Sequence, residues 1–200
     1  MITKLILASN NAKKLRELRE LFADTGIEVV SQREAGCDFE VEETGTTFEE
    51  NAYLKASAVT ERTGEAAIAD DSGLCVDALG GAPGIYSARF TGNHEDSDED
   101  RNRFLLEKMK DAEQRSARFV SCICCTLPNG DVIRSRGECE GSILYGPRGE
   151  NGFGYDPVFL VRETGCSMAE LTAQEKNRIS HRAAALRGFK EELREYNAAH

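Results

Sequence analysis

This sequence predicts an α/β fold built on a mixed β-sheet flanked by helices, and three observations predict it. The chain opens in the order strand, turn, helix, strand. An apolar strand near the middle runs directly into Asp70-Asp71-Ser72-Gly73, and open α/β sheets place ligands at such strand ends. Further on, Asn129-Gly130 joins two apolar stretches as a hairpin, which adds an antiparallel part to the sheet.

Residues 4–8 form a short buried strand and Ser9-Asn10-Asn11 a polar turn. The helix that follows carries Leu15, Leu18, Leu21 and Phe22 on one face. Gly26 ends it, and residues 27–31 form a second strand. Thr47 and Glu50 make a capping box for a helix that turns Ala52, Ala56 and Val59 inward and stops near Gly64. Residues 66–69 are the strand ahead of the aspartates, 76–79 a short apolar piece, and 80–84 a glycine-rich loop. A helix over 97–111 is capped by Ser97 and Asp100, with Phe104, Leu105 and Met109 buried. Strands follow at 119–127, 131–142 and 158–161, with an irregular stretch at 145–157. A second capping box, Thr172 with Glu175, starts one last helix whose Ile179, Leu186, Phe189, Leu193 and Tyr196 share a face.

Two hundred residues, 40% of them hydrophobic, suffice for one domain over 1–200, or two lobes around one continuous sheet. A net charge of −10 argues against general nucleic-acid binding, which needs a basic surface. One small anion can still be held by a local cluster of lysines, with a divalent cation between carboxylates and phosphate. The first residues are too short and too weakly charged for a signal peptide, and no apolar stretch is long enough to span a bilayer. The seven cysteines are therefore expected to be reduced thiols in a cytoplasm. Cys122, Cys124 and Cys125 lie in one apolar run without metal-ligand spacing, so strand packing explains them.

Four groups of residues are candidates for chemistry. Ser9, Asn10, Asn11, Lys13 and Lys14 sit at a helix start, where N–H groups and the helix dipole favour an anion. An ordinary N-cap with solvated lysines accounts for them equally well. Asp70 and Asp71 point to different sides of the chain, so one can hold a metal while the other polarises water; the alternative is a plain turn. Glu42-Glu43-Thr44-Gly45 reads as solvated loop unless it faces the aspartates. Phe153-Gly154-Tyr155-Asp156 can clamp a flat ring, and Lys176 and His181 on the last helix can face one cleft. A tight turn with one core aromatic and a solvated basic helix face are the alternatives. The acidic run 95–100 suits a helix N-terminus, and His94 and His200 are read as solvated.

Taken as an ordered series, these stretches resemble the inosine triphosphate pyrophosphatase family, which acts on non-standard purine nucleoside triphosphates. The series comprises Leu7 to Asn11 with Lys14, Glu42 to Gly45, Thr47-Phe48, Glu50 to Ala52, Lys55-Ala56 and Ala69 to Leu74. It continues with Gly80 to Arg89, Gly152 to Pro157, Glu170 to Thr172, Lys176 and Ser180 to Arg182. The resemblance implies an elongated mixed sheet in two lobes with a central nucleotide cleft, Mg²⁺ as cofactor and a homodimer. It implies triphosphate contacts at Ser9, Asn11, Lys14 and Lys55, with Asn10 and Lys13 in the same turn. Glu42 and Asp71 match metal ligands, with Asp70 beside them, and Asp71 matches the proton acceptor. Ser72 matches a substrate contact; Phe153, Gly154, Tyr155 and Asp156 match the base loop. Lys176, His181 and Arg182 match contacts to phosphate and the purine 6-oxo edge. Lys13 departs from the glycine the family commonly has there, which bears on triphosphate against diphosphate preference. The reaction so implied is hydrolysis of ITP, dITP and XTP to the monophosphate and pyrophosphate. Two rival readings are a pyrophosphatase of the septum-formation inhibitor type and a non-catalytic nucleotide sensor.

Overall fold

The computed structural model describes residues 1–37, 39–93 and 95–200; His94 lies outside the described residues. Its elements run β1 (Lys4–Leu7), α1 (Ala12–Phe22), β2 (Glu28–Ser31), α2 (Phe48–Thr63), β3 (Ala67–Val76) and α3 (Asp98–Lys108). Then come β4 (Ser116–Thr126), β5 (Val132–Ile143), β6 (Phe159–Val161), α4 (Ala173–Ile179) and α5 (His181–Ala199). The strands order β2-β1-β3-β4-β5-β6 in one sheet. β1 is parallel to β2 and β3, and β5 is antiparallel to β6, so the sheet is mixed. By its internal contacts the chain divides into two compact units. The first is Met1–Asp71, Cys122–Arg136 and Ala185–His200; the second is Ser72–Ser121 and Gly137–Ala184.

In the first unit the parallel register pairs Ile6 with Ala67 and Leu7 with Ile68. Leu5, Ile6 and Leu7 are all buried, as strands of a covered parallel sheet must be. Leu18 and Phe22 of α1 pack into the same core as Phe189 and Leu193 of α5, the two phenyl rings meeting edge to face at 6.1 Å. The β4–β5 connection turns through Pro128 and Asn129, with Gly130 N–H donating to the Leu127 carbonyl. Gly130 itself takes φ +90°, which is why glycine stands there. In the second unit Leu74, Val76, Leu105, Met109, Phe119, Phe159 and Met168 form the core. The Arg115 guanidinium donates to the carbonyls of Met109, Ile143 and Leu144 at 2.7 to 2.9 Å, one bond from each of its three nitrogens.

Four expectations are corrected. β3 does not stop before the aspartates; it runs through Asp70 to Gly73 and on to Val76. Each aspartate finds a lysine on its own side of the strand, so the charges do not end it. The expected single C-terminal helix is two. Ser180 takes an extended ψ of 152°, and its hydroxyl accepts the Ala183 N–H, an N-cap for the second helix. Lys176 and His181 therefore sit on different helices rather than on one face. Glu50 reaches back to the N–H and hydroxyl of Thr46 instead of completing a box with Thr47. Phe104 is half-buried against Phe90, and Asn102 takes a buried position on that helix.

Candidate functional site

In the first unit, strand alternation separates the two aspartates. Asp70 Oδ1 accepts from Lys14 Nζ at 2.7 Å. Asp71 accepts from Lys55 Nζ at 3.2 Å and from Asn51 Nδ2 at 3.3 Å. The same Lys55 ammonium donates to Glu43 Oε1 at 2.8 Å, so one cation bridges two carboxylates. Lys55 and Asp71 keep 17% and 14% of their side-chain surface, too little for water to neutralise them cheaply. Burial pushes the Asp71 carboxyl above the usual carboxylate range and the Glu43 charge adds to this, while Lys55 and Asn51 offset only part. Burial pulls the Lys55 ammonium down, but the Asp71, Glu43 and Asp70 carboxylates outweigh it and hold its pKa above the ordinary value. A carboxylate of raised pKa is a better proton acceptor than a solvated one.

Asn51 couples this group to the acidic loop before α2. It is fully buried, and its Oδ1 accepts the Gly45 N–H at 2.9 Å while its Nδ2 faces Asp71. A Cβ on Gly45 would lie 2.7 Å from that oxygen, so the close approach requires glycine. Glu42 is exposed, and Glu43 is the member of the pair that faces Lys55. At the start of α1, Asn11 Oδ1 accepts the N–H groups of Lys13 and Lys14, and Ser9 Oγ accepts that of Asn11. The turn is thus a true N-cap, with two first-turn donors already engaged. Asn10 and Lys13 are exposed, and Lys14 is aimed at Asp70.

In the second unit the loop after Gly152 is held from several sides. Gly152 takes φ +82°, and a Cβ there would stand 2.1 Å from Asp156 Oδ2. That oxygen accepts the Phe153 N–H at 2.9 Å and the Lys176 ammonium. Lys176 Nζ also lies 4.5 Å from the centroid of the Phe153 ring, a cation–π contact. Phe153 is 53% exposed, whereas Tyr155 is buried with its hydroxyl donating to the Ser87 carbonyl at 2.8 Å. The two readings of this loop therefore divide between its aromatics: Tyr155 is the core anchor, and Phe153 is the ring offered to a ligand. Burial pushes the Tyr155 hydroxyl well above its ordinary pKa, so it stays a neutral donor. Gly154 takes φ +61°; its N–H donates to Asp98 Oδ2 at 2.6 Å and its carbonyl accepts from Asn102 Nδ2 at 3.0 Å. The His181 ring stacks on Phe119 at 4.9 Å, and Ser72 and Arg182 are half-buried.

Sequence reasoning did not single out Asn51, Ser87, Asp98 or Asn102, and gave Glu43 no role of its own. Asn51 lies between Phe48 and Ala52 on the inward face of an amphipathic helix, a place where an unpaired amide is costly, and that was its signal. Asp98 and Asn102 are one helical turn apart, but Asp98 is lost among the acidic residues that favour any helix start.

The Ham1 family profile matches residues 5–192. A dITP/XTP pyrophosphatase of Exiguobacterium sp. is 50% identical over 190 residues, 95% of this chain and 96% of its own. A dITP/XTP pyrophosphatase of Gloeobacter violaceus is 52% identical, over 94% of this chain and 92% of its own. The solved structure of the Staphylococcus aureus Ham1 protein superposes with a TM-score of 0.91 at 42% identity, covering 96% of this chain and 99% of that one.

Proposed function

The chain belongs to the Ham1 family, and from that premise we propose that it hydrolyses non-standard purine nucleoside triphosphates, dITP, ITP and XTP, to the monophosphate and pyrophosphate. The names of its relatives favour this over a pyrophosphatase of the septum-formation inhibitor type. The observation that carries it is the array on the first unit, where Asp70 and Asp71 each hold a lysine of their own. Lys14 and Lys55 exchange carboxylate for phosphate oxygens when the polyphosphate binds, and this releases the two aspartates for other work.

The donor set is all carboxylate oxygen, which suits Mg²⁺, a cation that completes its shell with phosphate and water. Among the described residues no cluster of three His, Cys, Asp or Glu forms a metal site by itself. Glu42 and Asp71, with Asp70 beside them, would hold it, and when bound it neutralises charge on the phosphate oxygens. Asp71 takes the proton of a water whose oxygen bonds to the α-phosphorus in line. The bond from that phosphorus to the bridging oxygen breaks, and pyrophosphate leaves while Lys14 and Lys55 offset its charge. Ser9, Asn10, Asn11 and Lys13 orient the phosphates.

On the second unit Phe153 offers a face for the purine, while Ser72, Asp156, Lys176 and His181 contact the nucleotide. Arg182 or a backbone N–H donates to the 6-oxo group. Adenine presents an amino group at that position, so donor meets donor and both lose partners on desolvation. The protein acts as a cytoplasmic homodimer in this reading; among the described residues no helix is long and apolar enough to cross a membrane. Pyrophosphate release from dITP, XTP and ATP, with magnesium and with chelator, tests the proposal. Release from the first two only, abolished by chelator, is expected. Tight binding of dITP without release at any metal concentration would make the protein a sensor.

A further inference from the structure

We infer that Asp98 and Asn102 of α3 are positioning residues for purine recognition, which they exert by gripping the Gly154 peptide behind the Phe153 ring. The inference rests on the function proposed above. Both polar groups of one residue are taken by one helix face: Asp98 Oδ2 accepts the Gly154 N–H at 2.6 Å, and Asn102 Nδ2 donates to its carbonyl at 3.0 Å. The two side chains are four residues apart, the spacing that stacks neighbours on a helix. A glycine at φ +61° has no side chain to fix it, so its peptide planes, and the ring next to them, are set by whatever holds its N–H and carbonyl.

Three further observations separate this grip from ordinary packing. Asp98 is itself held by the Arg101 guanidinium. Although burial opposes it, the Gly154 N–H and Arg101 hold the Asp98 carboxyl below its ordinary value, so it is an ionised acceptor throughout the neutral range. Asn102 is 8% exposed, and its Oδ1 is buried with no hydrogen-bond partner among the described residues. Turning the amide over would set that oxygen against the Gly154 carbonyl, so Asn102 keeps the loop bond at the cost of one orphaned acceptor. The remaining loop contacts are independent of α3: Asp156 holds the Phe153 N–H, and the Tyr155 hydroxyl reaches Ser87. Loss of the grip therefore leaves the loop folded and frees the Gly154 peptide, together with the 53% exposed Phe153 ring.

The test is steady-state pyrophosphate release from dITP by Asp98→Ala, Asp98→Asn, Asn102→Ala and Asn102→Asp, with inhibition by inorganic pyrophosphate measured alongside. For Asp98→Ala and Asn102→Ala, KM for dITP is expected to rise about tenfold, with kcat within about twofold and pyrophosphate inhibition unchanged. Asp98→Asn keeps an acceptor for the Gly154 N–H and recovers much of the loss, whereas Asn102→Asp faces a carbonyl with a carboxylate and loses most. If an alanine variant fails to fold, the Asp98→Asn and Asn102→Asp pair carries the same contrast. Wild-type KM in all variants, or equal losses in kcat, KM and pyrophosphate inhibition, overturns the inference alone. No pyrophosphate release by the wild-type protein overturns the proposed function and this inference with it.

Discussion

The two groups of candidate residues differ in how they are held. On the first unit, charge does the holding: Lys14 pairs with Asp70, and Lys55 bridges Glu43 and Asp71. On the second unit, backbone does most of it: the loop bonds to Asp98, Asn102 and Asp156 through its own N–H and carbonyl groups. A site for a polyphosphate needs charges that can change partners. A site for a flat base needs a ring whose place does not change. The contrast teaches that electrostatic poise and geometric rigidity have been assigned to separate regions of the chain.

The change that should break the contrast most sharply is Asp71→Asn. Asp71 is the proposed proton acceptor, and its loss should lower pyrophosphate release by about a thousandfold, with KM for dITP little changed in the same steady-state assay. On the second unit the corresponding weak point is the buried Lys176–Asp156 ion pair, which resembles the first unit's. Lys176→Met strands the Asp156 carboxylate, which keeps 5% of its surface, and costs about 3 kcal/mol in urea unfolding. Adding Asp156→Asn to it should recover a large part. Gly152→Ala forces a Cβ into Asp156 at a left-handed φ, and should cost about 1 to 3 kcal/mol by the same measurement.

Asp71 and Asp98 contribute to the pH dependence of stability with opposite signs. Asp71 has a raised pKa in the folded protein, so the native state binds a proton more readily than the unfolded one, and stability falls as pH rises through that window. Asp98 is lowered, so its contribution is present above the unfolded value and is lost as pH falls toward the folded one. At neutral pH Asp71→Asn should therefore melt slightly above wild type, and Asp98→Asn slightly below. The mildest probe is a thiol reagent. Cys37, Cys122, Cys124 and Cys125 of the first unit are buried, while Cys75 and Cys166 of the second are partly exposed. Burial pushes the Cys122 thiol up to about 12 and Cys124 to about 11. Native alkylation followed by peptide mapping should label Cys75 and Cys166 first, and early label in the first unit would show that its core opens.

Residues whose role follows from local pattern were legible in the sequence. Asn11 caps α1, and Leu18, Phe22, Ala52, Ala56 and Val59 are buried as their spacing requires. The strand ahead of the aspartates was legible too, but not its continuation, because a charged pair in a strand is stable only where each member has a distant partner. Lys14 lies 56 residues from Asp70 in sequence, and no local pattern carries that. The break at Ser180 escaped for a related reason: serine both tolerates a helix interior and caps a new one. Glu42 and Glu43 are adjacent and chemically alike, so only the fold could show that Glu43 faces Lys55.

The placement of Asp70 and Asp71 inside β3 also bears on how the gene can change. Because consecutive strand residues face opposite sides, the lysine each aspartate meets is fixed by a count of residues from the Ile68 position paired with Leu7. Loss of the single codon for Ala69 would move Asp71 to the side now occupied by Asp70 and bring Ser72 opposite Lys55. Such an in-frame deletion leaves every charged side chain in the protein, yet miswires the pair, and should be tolerated less well than many substitutions at the same place.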